Sequence, residues 1–97
     1  MNYLAILSAA FATPFQPERP SGCGRVYVCV SKDHAKGIKA AAKRLGQIFQ
    51  TTSHYGDRYA LYVGYDNADG KALGQGTAIV SALNAAGISA YRNEHGD

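Results

Sequence analysis

At 97 residues the chain has length for one core, which excludes a two-domain reading. Apolar residues make up 46% and charged residues 18%, a balance that excludes intrinsic disorder, and no apolar run approaches the ~18 residues of a membrane-spanning helix. The formal charge of +3 is no polycation, but it is unevenly placed: residues 25–49 hold six cations (Arg25, Lys32, Lys36, Lys39, Lys43, Arg44) against Asp33, a net of +5.

Asn2 to Ala12 reads as a short packing helix. Within it, the apolar run Leu4 to Phe11 and the Ala10-Phe11-Ala12 triplet have the small-x-small form of a signal-peptidase site, but no Lys or Arg precedes them and Ser8 interrupts the run. Two cysteines, Cys23 and Cys29, are too few to staple a domain. A reduced, cytoplasmic protein is therefore expected, with secretion as the alternative. Pro14, Pro17 and Pro20 keep the chain extended, so Thr13 to Gly24 reads as a linker lying over the domain. The organisation expected is an N-terminal segment over residues 1–24 and a single α+β domain over residues 25–97.

Arg25 to Ser31 alternates, with Val26, Val28 and Val30 on one face, which is the period of a strand. Ser31 suits an N-cap and Asp33 a first turn, and the following helix is read over Lys32 to Gln50. Ile38, Ala41, Ala42, Leu45, Ile48 and Phe49 cluster on one side of it, and Lys32, Lys36, Lys39 and Lys43 form a ridge on the other. Gln50 to Tyr55 suits an edge strand, Gly56-Asp57 a turn, and Arg58 to Tyr65 an apolar, aromatic strand. After the loop Asp66 to Gly70, apolar residues recur at helical spacing up to Gly87 at the C′ position. Ile88 to Arg92 alternates as a last strand, followed by a polar tail, Asn93 to Asp97.

This order predicts a ferredoxin-like βαββαβ fold: a four-stranded antiparallel sheet with two helices on one face and the first and third strands central. The helix-facing side would carry Val26, Val28, Val30, Leu61, Val63, Ile88 and Ala90. The other side would carry Arg25, Tyr27, Cys29, Tyr62, Ser89 and Tyr91.

Tyrosines on an uncovered sheet face are flat platforms with a polar tip, and RNA-recognition motifs stack bases on this face. Against the third-strand signature of those motifs, Asp57 to Gly64 matches at Tyr59 and Ala60, lacks the leading glycine, and has Leu61 where an aromatic belongs. The competing expectation is that Tyr3, Leu4, Ile6, Leu7 and Phe11 fold over the tyrosines and complete a second small core, because monomers rarely leave so large an apolar patch open. The lysine ridge could grip phosphates or an acidic protein face, or be a solvated face; it holds no group that reads base edges.

Gly70, Gly74 and Gly76 open the second helix, but their order fits neither GxxxxGK[ST] nor GxGxxG and points to close packing of this helix against its neighbour. Asn67 to Gly70 is no calcium loop, since Tyr65 and Gly76 occupy its first and twelfth positions. Cys23, Cys29, His34, His54 and His95 form no HxxxH, CxxC or GxSxG pattern, and His54 and Asp57 share a hairpin in which they could pair. No enzyme, metal or cofactor is expected.

The stretches Tyr59 to Asn67, Gly70 to Leu73 and Ala82 to Ile88 resemble small proteins of bacterial prophages and mobile elements, some of them anti-CRISPR inhibitors. The resemblance covers under half the chain and assigns no residue a role. It implies a non-enzymatic blocker that binds a CRISPR effector complex and stops it from reaching target DNA. Many such inhibitors are acidic mimics of nucleic acid, and the basic middle of this chain departs from them; a basic blocker has to grip guide RNA or an acidic protein face. The expected partner is a bacterial effector complex, protein or ribonucleoprotein, or its RNA. It would be met by Lys32, Lys36, Lys39, Lys43, Arg44, Arg25, Tyr27, Tyr62 and Tyr91. The alternative is an RNA or single-stranded DNA binder that uses the open sheet face.

Overall fold

The alternating valines Val26, Val28 and Val30 lie in strand β1 (Cys23–Val30), which the computed structural model, describing residues 1–18 and 22–96, pairs along both edges. Strand β3 (Arg58–Asn67) runs antiparallel on one side of it and β4 (Ala90–Gly96) on the other; β2 (Phe49–Thr52) pairs antiparallel with the far side of β3. The sheet order is β2-β3-β1-β4. Helices α1 (Tyr3–Ala12), α2 (Lys32–Arg44) and α3 (Lys71–Ala85) complete the elements among the described residues, so the protein is α+β with an open four-stranded antiparallel sheet. Among those residues no helix is long and apolar enough to cross a membrane.

One face of the sheet buries Val28, Val30 and Leu61 against Ile38 of α2, Ile79 and Leu83 of α3, Leu7 of α1, and Ile88 just ahead of β4. Each such fully buried aliphatic contributes about 1.5–3 kcal/mol relative to exposure. The opposite face carries Tyr27, Cys29, Ala60 and Tyr62. Between Val26 and Tyr27 the register with β3 slips by a bulge, which leaves Val63 packed toward Val26, Ala72 and Leu73.

Helix α1 does not cover the tyrosines. It lies between α2 and α3 and touches both, with Leu7 in the main core and the Tyr3 hydroxyl 2.8 Å from His34 Nδ1. An apolar helix gains more from the Val28–Leu61 side of the sheet, where neighbours enclose it, than from a face of polar-tipped rings. Asn2 caps it by accepting the Ala5 N–H at 3.0 Å.

Helix α2 is shorter than the sequence reading to Gln50. It ends at Arg44 because Gly46 takes a left-handed conformation (φ +71°) and the Gln47 N–H turns back to the Ala42 carbonyl at 2.8 Å. Ile48 and Phe49, which continue the helical spacing, leave the helix; β2 starts at Phe49 and stops at Thr52, and residues 53–57 form a turn rather than the end of a strand. The last strand also moves. Asn93 to Gly96, expected as a tail, pair with Gly24 to Tyr27, while Ile88 is buried ahead of the strand; Asp97 lies outside the described residues.

The linker read over Thr13 to Gly24 is described as far as Glu18 and from Gly22, residues 19–21 lying outside the described set. Its Glu18 N–H bonds the Gly70 carbonyl at 3.0 Å, and the Gln16–Pro17 backbone runs so close over Gly74 that a Cβ there would strike the Gln16 carbonyl. The small residues of α3 therefore let their neighbours approach closely: the linker backbone at Gly70 and Gly74, and the side chains of Val26 and Arg92 at Gly76. Arg92 Nη1 clamps the arrangement, donating to Glu18 Oε1 at 2.7 Å and to the Leu73 carbonyl at 3.0 Å, while the Thr77 hydroxyl donates to Glu18. The Thr77 bond first, then Arg92, holds the Glu18 carboxyl below the usual carboxylate range. A lowered folded-state pKa means that the clamp stabilises above the ordinary carboxylate value and loses its contribution as pH falls through the lower one. Wild type and Glu18→Gln are expected to differ in urea midpoint at neutral pH and to converge in acid; a gap that does not narrow with acid would contradict this.

Candidate docking site

Lys32, Lys36, Lys39 and Lys43 stand at spacings of four, three and four along α2, and all are exposed, as is Arg44. At ~1.5 Å rise per residue the ridge is roughly 16 Å long. Successive ridge positions are set ~4.5–6 Å apart along the helix axis, less than the ~8 Å Debye length at physiological salt, so their potentials add. Asp33 is the acid of this helix, and neither the four ridge lysines nor Arg44 forms an ion pair with a described residue. Lys43 and Arg44 sit where the C-terminal end of the helix favours cations.

The ridge forms one wall of a groove. Its other wall is the sheet edge at β2: a hollow of about 430 Å³ lies among Lys39, Lys43, Gly46, Gln47, Ile48 and Phe49. A second, of about 300 Å³, adjoins it through Lys39 and Phe49 and reaches Lys32, Lys36, Thr51 and Tyr59. Ile48 is 56% exposed at the mouth. Tyr59 reaches this wall from a backbone at φ +54°, a conformation that costs a non-glycine residue about 1–3 kcal/mol, and its ring lies 5.1 Å from the Arg58 guanidinium carbon. Phe49 is absent from the expected site because a helix over Lys32 to Gln50 puts it on the buried side, and Thr51 and Tyr59 because their strands are not placed beside the ridge by sequence alone. The signal that could have found Phe49 is Gly46, a stop placed before Ile48 and Phe49.

The tyrosine face differs from expectation at its centre. Tyr27, read as a stacking platform, is 5% exposed, because the 53–57 turn folds back over it. Ser53 Oγ accepts the N–H groups of Tyr55 and Asp57 at 3.2 and 3.1 Å and so shapes that turn. Asp57 then accepts from Asn93 Nδ2 at 2.6 Å and meets His95 Nε2 at 2.5 Å. The Tyr55 ring stacks on His95 at 4.2 Å and 8°, and its hydroxyl accepts from Arg25 Nη1 at 2.6 Å. Tyr27 is left under Tyr55, Tyr62 and His95, and burial pushes its phenol pKa up. Asp57 thus partners His95, not the hairpin neighbour His54, whose ring sits edge-on to Tyr55. The sequence offers His95 as a candidate side chain but does not place it or Asn93 beside Asp57, because both fall in the stretch read as a tail.

Tyr62 is half-buried, and a shallow hollow of about 230 Å³ lies among Arg25, Tyr27, Ile48, Gln50 and Tyr62. Tyr91 is 59% exposed on the far strand, opposite the buried Cys29 in the ladder, and its hydroxyl acts on the Cys29 sulfur. Desolvation pushes the Cys29 thiol up, with the Tyr91 bond a smaller opposing effect, so this sulfur is poorly disposed to act as a thiolate. The structure thus brings the ridge lysines together with Phe49, Thr51 and Tyr59, and separates them from Arg25, Tyr27, Tyr62 and Tyr91 on the other face of the sheet. Comparison with protein-family models, curated proteins and solved structures finds no match to this chain.

Proposed function

We propose that this chain is a non-enzymatic binding protein, a blocker of the phage-inhibitor, anti-CRISPR-like type, that docks its α2 ridge on an acidic protein face of a bacterial effector complex in the cytoplasm. The carrying observation is the unneutralised ridge: five exposed cations on one helix with no carboxylate partner among the described residues. A face of this kind speeds encounter with an acidic surface and selects its orientation. The alternative, base stacking on the open sheet face, loses support from the burial of Tyr27. The frame we take to be ferredoxin-like, with α1 as an added helix; antiparallel pairing in the order β2-β3-β1-β4, with the first and third strands inside, supports that assignment.

The test is binding of poly-L-glutamate across a salt series, with random-sequence single-stranded RNA alongside. The wild type is expected to bind poly-L-glutamate with a steep salt dependence. Lys36→Glu combined with Lys39→Glu is expected to weaken it by about tenfold or more at low salt, without loss of thermal stability. Equal binding by the variant would remove the ridge from the site, and RNA binding that survives the variant and fails in Tyr62→Ala would favour the sheet-face alternative.

A further inference from the structure

Resting on the reading of the ridge as a docking surface, we infer that the groove takes an extended acidic segment of the partner protein, which adds to the sheet as a fifth strand along the free edge of β2. The backbone register supports this first. The Tyr62 N–H bonds the Ile48 carbonyl at 2.9 Å, and the register continues as Phe49↔Leu61, Gln50↔Ala60 and Thr52↔Arg58. Hydrogen-bonded pairs alternate along an antiparallel ladder, so Ile48, Gln50 and Thr52 direct their amides at β3. Phe49 and Thr51 direct theirs away from the sheet. These are the same two residues of β2 whose side chains line the groove with the lysines. These backbone groups, which have no strand partner among the described residues, and the charged wall therefore address one ligand from two sides.

Spacing supports it next. The ridge lysines rise by roughly 6, 4.5 and 6 Å along α2, and alternate side chains of an extended strand recur every ~6.6–6.8 Å. A segment with Asp or Glu at every second position can hold its carboxylates against successive lysines while its backbone pairs with Phe49 and Thr51. A phosphodiester chain matches the charge but offers no alternating N–H and C=O to the edge. This is the logic of strand addition, with main-chain bonds for affinity and alternate side chains for specificity.

Protection of the edge gives a third reason. β2 itself, Phe49-Gln50-Thr51-Thr52, contains no charge and no proline, the usual devices against edge-to-edge association. Pairing β2 with β2 of a second copy would set two lysine ridges beside each other, and like-charge juxtaposition of this kind is strongly unfavourable. The ridge thus rejects self-pairing and admits an acidic strand.

The experiment compares two peptides of equal charge, both of alternating Glu and Val, the second N-methylated at every Glu and so lacking the N–H donors that face β2 when the Glu side chains face the lysines. With the unmethylated peptide, amide exchange at Phe49 and Thr51 is expected to slow, and affinity is expected to exceed that for the N-methylated peptide by about tenfold or more. Thr51→Pro is expected to abolish that difference while leaving binding of the N-methylated peptide in place; should that variant fail to fold, amide exchange on the wild type carries the decision. Equal binding of the two peptides without protection at Phe49 and Thr51 would overturn strand addition and leave ridge docking standing. Failure of both peptides, together with failure of poly-L-glutamate, would overturn both. Protection of these amides without peptide, in a chain that sediments as a dimer, would assign the edge to self-association, and protection by an oligonucleotide alone would assign the groove to nucleic acid; either overturns the inference.

Discussion

Leu7→Ala is expected to lower the stability of the protein by about 3 kcal/mol and its melting temperature by roughly 12–24 °C. Leu7 is fully buried although it lies in the short N-terminal helix, and it meets the core built from Val28, Leu61, Ile38, Ile79 and Leu83. Truncation opens a cavity between α2 and α3 that rigid neighbours on the sheet cannot close, which is the condition under which Leu→Ala costs fall in the ~2–5 kcal/mol range. Ile6→Ala, at a half-buried position on the same helix, is expected to cost less. Thermal unfolding followed by circular dichroism checks both. A loss under about 1 kcal/mol at Leu7 would mean that α1 does not belong to the main core.

The second large effect is expected at Asp66, the last buried residue of β3. Helix α3 begins after Gly70, which sits left-handed at φ +77° and has no side chain with which to cap. The cap comes from four residues upstream: Asp66, 2% exposed, accepts the Gly70 N–H at 3.0 Å through Oδ1 and the Leu73 N–H at 3.1 Å through Oδ2. Its negative charge also lies where the helix N-terminus favours it. Asp66→Ala leaves two donors without acceptors in a buried place, for an expected loss of about 2–4 kcal/mol. Asp66→Asn keeps one acceptor and turns an amide donor toward the other N–H, so it is expected to fall between wild type and Asp66→Ala. Urea unfolding at neutral pH separates the three. Equal stability of the Ala and Asn variants would show that the two hydrogen bonds are not what holds the start of α3.

Loss of either residue would act on the docking site only through the fold. Leu7 lies behind α2 and Asp66 at the far end of β3, whereas the groove depends on exposed side chains and on backbone groups at the sheet edge. Surface variants of the ridge and core variants are thus expected to separate binding from stability. That separation distinguishes a lysine ridge that contacts a partner from one that merely solvates a helix.

What could be read from residues alone was whatever neighbours in the chain decide. The two-residue period of Val26, Val28 and Val30 marked β1, and the three-to-four spacing of the lysines marked the exposed side of α2. Gly87, observed left-handed at φ +86°, marked the end of α3, because each of these features is settled within a few residues by side-chain direction or backbone sterics. The placement of β1 and β3 inside the sheet was expected from the topology that the order of elements suggested, and the apolar character of both segments agrees with it. Three matters were beyond that reach. Ile48 and Phe49 satisfy helical spacing as well as strand alternation, and the turn at Gly46, completed by a hydrogen bond from Gln47 to Ala42, is what excludes the helix. Asn93 to Gly96 look like a polar tail and become a strand only because the edge of β1, some seventy residues earlier in the chain, supplies hydrogen-bond partners. Tyr27 looks like an open platform and is closed by a turn whose Asp57 finds Asn93 and His95 36 and 38 residues away. Local periodicity therefore determined the elements and their charged and apolar sides. Contacts between distant segments decided which backbone edge stays free and which aromatic ring is covered, because both depend on hydrogen bonds and burial that exist only once the chain has closed on itself.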